Sequence, residues 1–329
     1  MRPADSFQAL WTVNVGELTL RAESSTANAP DNVVLHGIYS GVSRGTERLV
    51  LRGQVPESEY VRMRCPFQEG DFPFPVKYGY NFVGLAMSGE FQGRPCFALS
   101  PHQEIARLPA AAILPLPDRL PALRAVLAAN METALNVLWD ANVQAGDRVL
   151  IVGAGVVGLL VASLAARIPG VDVSIADINP RRAAVADSLG AAFRRPPEGD
   201  GDMDVVIDAS ASESGLRYGI FQAGQEARIV VASWLGTADT TLSLGGAFHA
   251  QRLQLISSQV GGIPPEKTPR WTHRRRLQTA LRLLADMPEL DALITHEIRL
   301  EDAPARLPDL LEHDPDVLCV AIRYDPRES

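Results

Sequence analysis

The stretch VLIVGAGVVGLLVASLAA, residues 149–166, decides the fold. Its 18 uncharged residues reach the lower length limit of a membrane-spanning helix, about 17 residues. Three glycines argue against such a helix, because Gly153, Gly155 and Gly158 form a G-x-G-x-x-G motif directly after the β-branched run VLIV. A strand, this turn and a helix-compatible run together predict a dinucleotide-binding unit. We therefore expect no partnership with a membrane.

The three glycines have different physical tasks in this motif. Gly153 permits the tight turn, Gly155 lets a pyrophosphate approach the backbone, and Gly158 lets the helix pack closely on the strand. The helix begins with Val156 and Val157, so that its N-terminus faces the phosphates. Glycine-rich turns also occur without a nucleotide, so the residues that follow have to support the interpretation.

The next strand-like run, VDVSIA, is followed by Asp177, 22 residues beyond Gly155. An acid about 20 residues after the turn bonds the adenosine ribose hydroxyls, and its charge repels a 2′-phosphate. The predicted cofactor is therefore NAD rather than NADP, although the nearby Arg182 softens this discrimination. Arg182 itself and Ser210, which follows the later strand MDVVIDA, are the remaining predicted cofactor contacts.

Composition limits the class of protein. The chain has 329 residues, 46% of them hydrophobic, which suits a globular protein with two domains. Its formal net charge of −8 provides no chain-wide positive field for nucleic acid. The three cysteines form no CxxC pair and suggest a reducing compartment, and no secretion signal is recognisable at the N-terminus. We expect a cytoplasmic enzyme with a small-molecule substrate.

The distribution of strands and helices divides the chain into three parts. Apolar strands alternate with helices over residues 121–290, which predicts a doubly wound parallel (Rossmann) sheet in an α/β domain. Residues 1–120 contain short alternating stretches with no helical period, which predicts a smaller antiparallel β domain. Residues 291–329 are expected to return to that β domain.

This order of parts resembles the medium-chain dehydrogenase/reductase superfamily over essentially the whole chain. The motifs SGVSRGTERL (40–49) and GYNFVG (79–84) are similar to those of the branch that contains bacteriochlorophyllide hydroxyethyl dehydrogenases. The resemblance implies a chaperonin-10-like β-barrel, oxidation of a secondary alcohol with NAD, and a homodimer formed near the strand LQLISSQV (253–260).

The ligands of the family's catalytic zinc are replaced in this sequence. By resemblance, Ser43 takes the place of the first cysteine ligand, Tyr80 that of the histidine, and Asn81 that of the neighbouring acid. Glu132 alone matches a position where some members carry a third ligand. One carboxylate cannot assemble a three-ligand catalytic site, and the four-cysteine structural lobe is reduced to Cys96. We therefore predict no metal.

Without zinc, a protein side chain has to exchange the alcohol proton. Tyr80 is the preferred acid/base, and Lys77, three residues earlier, is expected to stabilise its phenolate. Thr46 is a candidate for a hydroxyl relay, and Glu47 for orienting Tyr80. The alternatives are a Tyr80 that is merely buried and hydrogen-bonded, and a Glu132 that caps a helix instead of serving as a base; His102 ranks behind all of these.

Two further stretches bear on the substrate. Seven aromatic residues lie between positions 60 and 82, which suits a wall for a ring-bearing molecule or, equally, a packed β core: Tyr60, Phe67, Phe72, Phe74, Tyr78, Tyr80 and Phe82. Four arginines lie at a predicted helix start, where cations oppose the helix dipole, and they suggest either an anionic substrate or surface ion pairs: Arg270, Arg274, Arg275 and Arg276.

The sequence thus predicts a zinc-independent, NAD-dependent oxidoreductase that interconverts a secondary alcohol and a ketone. Two alternatives stay open at this point. An enoyl or quinone reductase of the same superfamily would deliver hydride to carbon and need only stabilise an enolate, although those members usually prefer NADPH, which Asp177 disfavours. A protein that binds NAD(H) as a scaffold or sensor, without turnover, would keep the same glycine turn.

Overall fold

The computed structural model describes residues 6–24, 32–199 and 201–325. Contacts divide the chain into unit 1, residues 1–129 and 281–329, and unit 2, residues 130–280. The sequence placed the divisions near 120 and 290 instead. Both observed divisions fall inside continuous helices, α3 (Ala128–Ala141) and α7 (His273–Ala285), and a helix carries no turn signal that would mark the division in the sequence.

Unit 2 contains a six-stranded parallel sheet in the order β12-β11-β10-β13-β14-β15. The strand bounds are β10 (Arg148–Val152), β11 (Asp172–Ala176), β12 (Ala192–Arg194), β13 (Met203–Asp208), β14 (Ala223–Val231) and β15 (Gln254–Ser257). Besides α3 and α7, its helices are α4 (Val156–Ala165), α5 (Ala183–Ser188) and α6 (Glu213–Gln222).

The order of this sheet confirms the predicted doubly wound fold. The strand order reverses between β10 and β13, so their carboxyl ends form the place where such sheets bind ligands. Residues 149–152 of β10 are all buried because a parallel strand is covered on both faces, which explains its continuous apolar sequence. The apolar run after β10 is the ten-residue helix α4, and no helix in the described ranges is both long and apolar enough to cross a bilayer.

Unit 1 is mainly β structure, in two sheets of orders β2-β1-β5-β4 and β16-β17-β3-β6-β7-β9, with β8 also paired to β3. The strands are β1 (Ser6–Asn14), β2 (Glu17–Ser24), β3 (Asn32–Ser43), β4 (Glu69–Gly70), β5 (Val76–Lys77), β6 (Phe82–Ala86), β7 (Pro95–Ala98), β8 (Ile105–Pro109), β9 (Ile113–Pro115), β16 (Ile294–Arg299) and β17 (Cys319–Arg323).

Strand β3 connects the distant parts of unit 1. It pairs with β6 and β8 and, through its carboxyl half, with β17, where Ser43 lies opposite Cys319. Strands β16 and β17 therefore belong to the same sheet as β3. Buried residues of β3, β6, β8 and β17, together with α8 (Ala303–Glu312), form one apolar core.

The prediction of no helix in the first 120 residues was wrong at one place. Residues Arg44–Leu51 form helix α1 directly after β3. The helix has only two turns and a glycine in its first turn, so its sequence is too short to display a helical period. Its Val50 and Leu51 are buried against the unit 1 core. A further short helix, α2 (Ala122–Ala125), precedes α3.

Candidate functional site

The glycine motif forms a turn between β10 and α4, which we call the cofactor turn (residues 153–158). Gly153 has φ +102°, and a Cβ there would lie 2.7 Å from the Ala209 carbonyl. A Cβ on Gly158 would overlap the carbonyl oxygen of Gly153. The fold itself therefore requires these two glycines, one for the turn and one for the approach of the helix.

Gly155 differs from the other two because neither its surroundings nor its backbone angles require a glycine. A Cβ at this position would meet no heavy atom within 4 Å, and φ is −79°, which any residue adopts. Gly155 is exposed and is the N-cap of α4, with no side-chain cap. The amides of Val156 and Val157, in the first turn, have no acceptor within the helix and carry the positive end of its dipole. The turn therefore fits an anionic group such as a pyrophosphate.

Asp177 lies beside this turn, after β11. Its carboxylate accepts hydrogen bonds from the amides of Ala154, at 2.7 Å, and Asn179, at 2.7 Å. These bonds hold the charge at the carboxyl edge of the sheet, where an adenosine ribose would meet it. The N-cap of the following helical turn is Asn179, whose side chain accepts from the Arg181 amide at 3.1 Å. Asp177 is therefore not needed as a helix cap.

The two remaining predicted cofactor contacts are engaged within the protein. Arg182 is buried. The Ser210 hydroxyl donates to Asp208 at 2.6 Å. Asp208, at the end of β13, is fully buried, and burial raises the pKa of its carboxyl against the opposing hydrogen bonds from Ser210 and Ser233. Sequence reasoning missed Asp208, for which the available signal was an acid directly after the buried apolar run Val205, Val206 and Ile207.

In unit 1, Tyr80 follows β5 and is half-buried. Burial raises the pKa of its phenol far above the ordinary value, and the charge of Glu47 raises it further. Hydrogen bonds from the hydroxyls of Ser43 and Thr46 oppose this shift. The structure thus brings together Tyr80, Thr46 and Glu47 as predicted site residues, and it adds Ser43.

Glu47 is held on both carboxylate oxygens. One accepts from the Ser43 amide at 2.7 Å, and the other is bonded to His102 Nε2 at 2.9 Å. His102 Nδ1 lies 2.7 Å from the Ser40 hydroxyl, which lies 2.7 Å from the Tyr324 hydroxyl. We call this set the Tyr80 network; its members are Ser40, Ser43, Thr46, Glu47, Tyr80, His102 and Tyr324.

The sequence placed His102 last among the candidates and did not consider Ser40 or Tyr324. The sequence carries no signal for the contact of His102 with Gly79, because the two residues are far apart in the chain. In the structure Gly79 has φ +128°, and a Cβ there would lie 2.8 Å from the His102 ring. Ser40 lies in an apolar part of β3, where its polar side chain needs a buried partner.

The expected role of Lys77 was wrong. Its side chain is 1% exposed, and its ammonium is bonded to Glu23 at 2.7 Å, Glu69 at 2.5 Å and Gln103 at 3.0 Å. Glu69 is its cross-strand partner in the pairing of β4 with β5. The Lys77 charge is therefore neutralised within the small sheet, and it is not among the groups that shift the Tyr80 pKa.

Glu132 is also engaged elsewhere, in unit 2. It accepts from Arg276 at 3.0 Å, and Arg276, 1% exposed, also bonds Asn136 and the carbonyl of Val260. Burial raises the pKa of the Glu132 carboxyl, and Arg276 opposes this. The pair joins α3 to α7, so neither a base nor a helix cap describes Glu132, and Arg276 is not part of an anion-binding surface.

The other members of the two substrate-related stretches divide between core and surface. Phe72, Tyr78 and Phe82 are buried, whereas Phe67 is 43% exposed. Consecutive rings touch from Tyr60 through Phe72 and Tyr78 to Tyr80, with centroids 5.8, 5.7 and 6.0 Å apart. Of the basic stretch, the Arg275 guanidinium stacks on Trp271 at 4.1 Å, and Arg270 and Arg274 are exposed.

The side chains that the resemblance equates with zinc ligands do not fit a zinc ion. Ser43 and Tyr80 present hydroxyls that bond each other, and the Asn81 amide oxygen accepts from the Ala129 amide at 3.0 Å. Zinc sites use thiolate, imidazole and carboxylate donors. In the described ranges no three His, Cys, Asp or Glu side chains are grouped as they would be around a metal ion.

Comparisons with known proteins agree with this fold. An uncharacterized zinc-type alcohol dehydrogenase-like protein of Haemophilus influenzae is 26% identical over 229 residues, 66% of this chain and 63% of that protein, so the match spans less than two thirds of the relative. An Escherichia coli CFT073 alcohol dehydrogenase complexed with NADH has a TM-score of 0.77 at 17% identity, covering 97% of this chain and 100% of that one.

A protein from Sinorhizobium meliloti 1021 bound to NADP has a TM-score of 0.76 at 18% identity, covering 97% of this chain and 99% of that one. The scan of family models found no match. The structural matches are below 25% identity and establish the alcohol dehydrogenase-like fold alone.

Proposed function

We propose that the protein belongs to the medium-chain dehydrogenase/reductase superfamily and is an NAD(H)-dependent oxidoreductase that interconverts a secondary alcohol and a ketone without zinc. The observation that carries the proposal is the open space beside Gly155. No contact within the protein requires a glycine there, whereas a bound pyrophosphate would. The relative from Haemophilus influenzae supports an alcohol dehydrogenase-like enzyme, and the structures with NADH and NADP support a nicotinamide cofactor. The fixed carboxylate of Asp177 favours NAD of the two.

Hydride transfer and proton exchange have separate requirements. A nicotinamide cofactor held by its pyrophosphate at the cofactor turn would supply or accept the hydride. Tyr80 exchanges the proton: in ketone reduction its hydroxyl donates to the carbonyl oxygen, and in alcohol oxidation its phenolate accepts the alcohol proton. Because burial and Glu47 raise the pKa of Tyr80, the side chain is held protonated, which suits reduction. Ser43 and Thr46 stabilise the phenolate left after proton donation.

The experiment is a titration of the purified protein with NADH and NADPH, followed by assays with cyclic secondary alcohols and ketones and by metal analysis. We expect NADH to bind more tightly than NADPH, turnover with at least one alcohol–ketone pair, and no stoichiometric zinc. Reduction of an activated alkene alone would instead favour the enoyl or quinone reductase. Cofactor binding without any turnover would favour the scaffold, and stoichiometric zinc would contradict the metal-free mechanism.

We also propose a homodimer formed through β15. This strand is the last in the unit 2 sheet, so one of its edges pairs with no other strand in the described part of the chain. Its Leu255 is 39% exposed. Light scattering coupled to size-exclusion chromatography should give twice the 35.6 kDa chain mass. A single chain mass would refute the dimer without affecting the proposed chemistry.

A further inference from the structure

His102 lies where three segments of unit 1 meet. Its ring bonds Ser40 of β3 through Nδ1 and Glu47 of α1 through Nε2, and it packs against Gly79. The side chain is only 2% exposed. Each contacted residue is a close neighbour of a group at the phenol: Gly79 precedes Tyr80, Glu47 follows Thr46, and Ser40 lies three residues before Ser43.

The hydrogen bonds around His102 run in one direction. Nε2 of His102 faces the Glu47 carboxylate, which can only accept, so the ring proton lies on Nε2. In the neutral ring Nδ1 is then the acceptor, and it takes the hydrogen bond of the Ser40 hydroxyl. The Ser40 oxygen in turn accepts from the Tyr324 hydroxyl. The reverse order would leave Nε2 facing the carboxylate without a proton. The network thus assigns the Nε2–H tautomer to His102.

Glu47 is the charged member of this buried group. Its charge acts on Tyr78, Tyr80, Cys65 and Cys319, and burial raises the pKa of each of these four, with both thiols at about 12, so that they stay neutral. The Glu47 side chain is 10% exposed, and a carboxylate so largely removed from water needs hydrogen-bond donors to be held in place. His102 supplies one of the two donors observed, and the Ser43 amide supplies the other.

We propose that His102 is a positioning residue for the reaction at Tyr80. By fixing Glu47 from one side and Gly79 from the other, it holds the Ser43 and Thr46 hydroxyls against the phenol. The proposal rests on the proposed function, because the proton exchanged at Tyr80 is what this positioning serves.

A matched pair of variants distinguishes a positioning role of His102 from a purely space-filling role. In His102→Gln the amide nitrogen can reach the place of Nε2 and still donate to Glu47, whereas the shorter side chain in His102→Asn reaches only the place of Nδ1. We expect His102→Gln to keep kcat within about 3-fold and His102→Asn to lower it about 10²-fold, since displacement of reacting groups by about 1 Å has such effects. NADH affinity should stay unchanged in both, because the cofactor turn belongs to unit 2.

Thermal unfolding of both variants checks that each is folded. If His102→Asn is as active as His102→Gln, the proposal is overturned. The second measurement needs no turnover: nitrogen-15 NMR of the labelled imidazoles, with His102 assigned by the signal missing from His102→Gln. The Nε2–H tautomer supports the proposal, and the Nδ1–H tautomer or a doubly protonated ring overturns it. Absence of turnover in the wild-type protein would refute the proposed function, while the NMR result would still decide on His102.

Discussion

The cofactor turn and the Tyr80 network are built in opposite ways. The turn is made by the backbone of six consecutive residues, and its specificity comes from glycines that leave room for a ligand. The Tyr80 network is made by side chains from four separate stretches of unit 1: residues 40–47, Tyr80, His102 and Tyr324. A backbone site tolerates changes around it but not at its glycines, whereas a side-chain network depends on every member being held by its neighbours.

Removal of the Tyr80 hydroxyl is the strongest way to separate the two sites. Tyr80→Phe should lower kcat about 10²- to 10⁴-fold, because the proposed mechanism assigns the exchanged proton to the Tyr80 hydroxyl. NADH affinity should be unchanged, as measured by fluorescence titration of the same preparation. Near-wild-type turnover would remove Tyr80 as the acid/base, and Tyr78→Phe, which alters a buried neighbouring ring, is the control for packing.

The buried pair of Glu132 and Arg276 should affect stability rather than chemistry. Arg276→Met leaves the Glu132 carboxylate without its main partner, and we expect a loss of about 3–5 kcal/mol in unfolding free energy by urea denaturation. The control Arg282→Met changes an exposed residue of the same helix and should stay within about 0.5 kcal/mol. A folded Arg276→Met variant of wild-type stability that binds anions less tightly would restore the anion-binding hypothesis.

The difference between the sites also explains what the sequence could predict. The turn was found because its requirement is local: a strand, three spaced glycines and a helix follow one another in the chain. Lys77 was misassigned because its spacing of three residues from Tyr80 does not reveal where its side chain points. In the structure the side chain points to Glu69, across the β4–β5 pair. Tyr324 was missed and His102 was ranked last, because 222 positions separate the two residues in the sequence. The pairing of β17 with β3 brings Tyr324 to Ser40, which also contacts His102.

Glu47 and Thr46 were found by a different route. The motif SGVSRGTERL drew attention to them by resemblance, and the structure places both near Tyr80. The helix that carries them was not predicted, because two turns do not establish a periodic pattern. Resemblance thus identified residues whose local structure the hydrophobic pattern could not reveal.

A substitution in the cofactor turn should give the complementary result to Tyr80→Phe. Gly155→Val introduces a side chain into space that no protein atom occupies, so the fold should be unaffected. The same side chain would block the pyrophosphate, and we expect the Kd for NADH to rise about 10- to 100-fold, the loss of one or two charge-assisted hydrogen bonds. Gly245→Val, at another glycine of unit 2 with open space around it, should leave the Kd unchanged. Equal effects in both variants would contradict the assignment of the turn.

The smallest expected effect concerns the pH dependence of ketone reduction. Reduction needs the protonated phenol, so the rate falls as pH rises through the pKa of Tyr80. Because the charge of Glu47 raises that pKa, Glu47→Gln should move the fall to lower pH. The profile of kcat/KM for ketone reduction in the two proteins measures the change. An alkaline limb that stays in place or moves to higher pH would show that Glu47 does not act on Tyr80 through its charge.

The most direct test of the central claim is a crystal structure of the protein with NAD. We expect the diphosphate over Gly155, accepting hydrogen bonds from the amides at the start of α4, with the adenosine ribose at Asp177 and no metal bound between Ser43 and Tyr80. A diphosphate bound elsewhere, or a metal ion coordinated at Tyr80, would contradict the account.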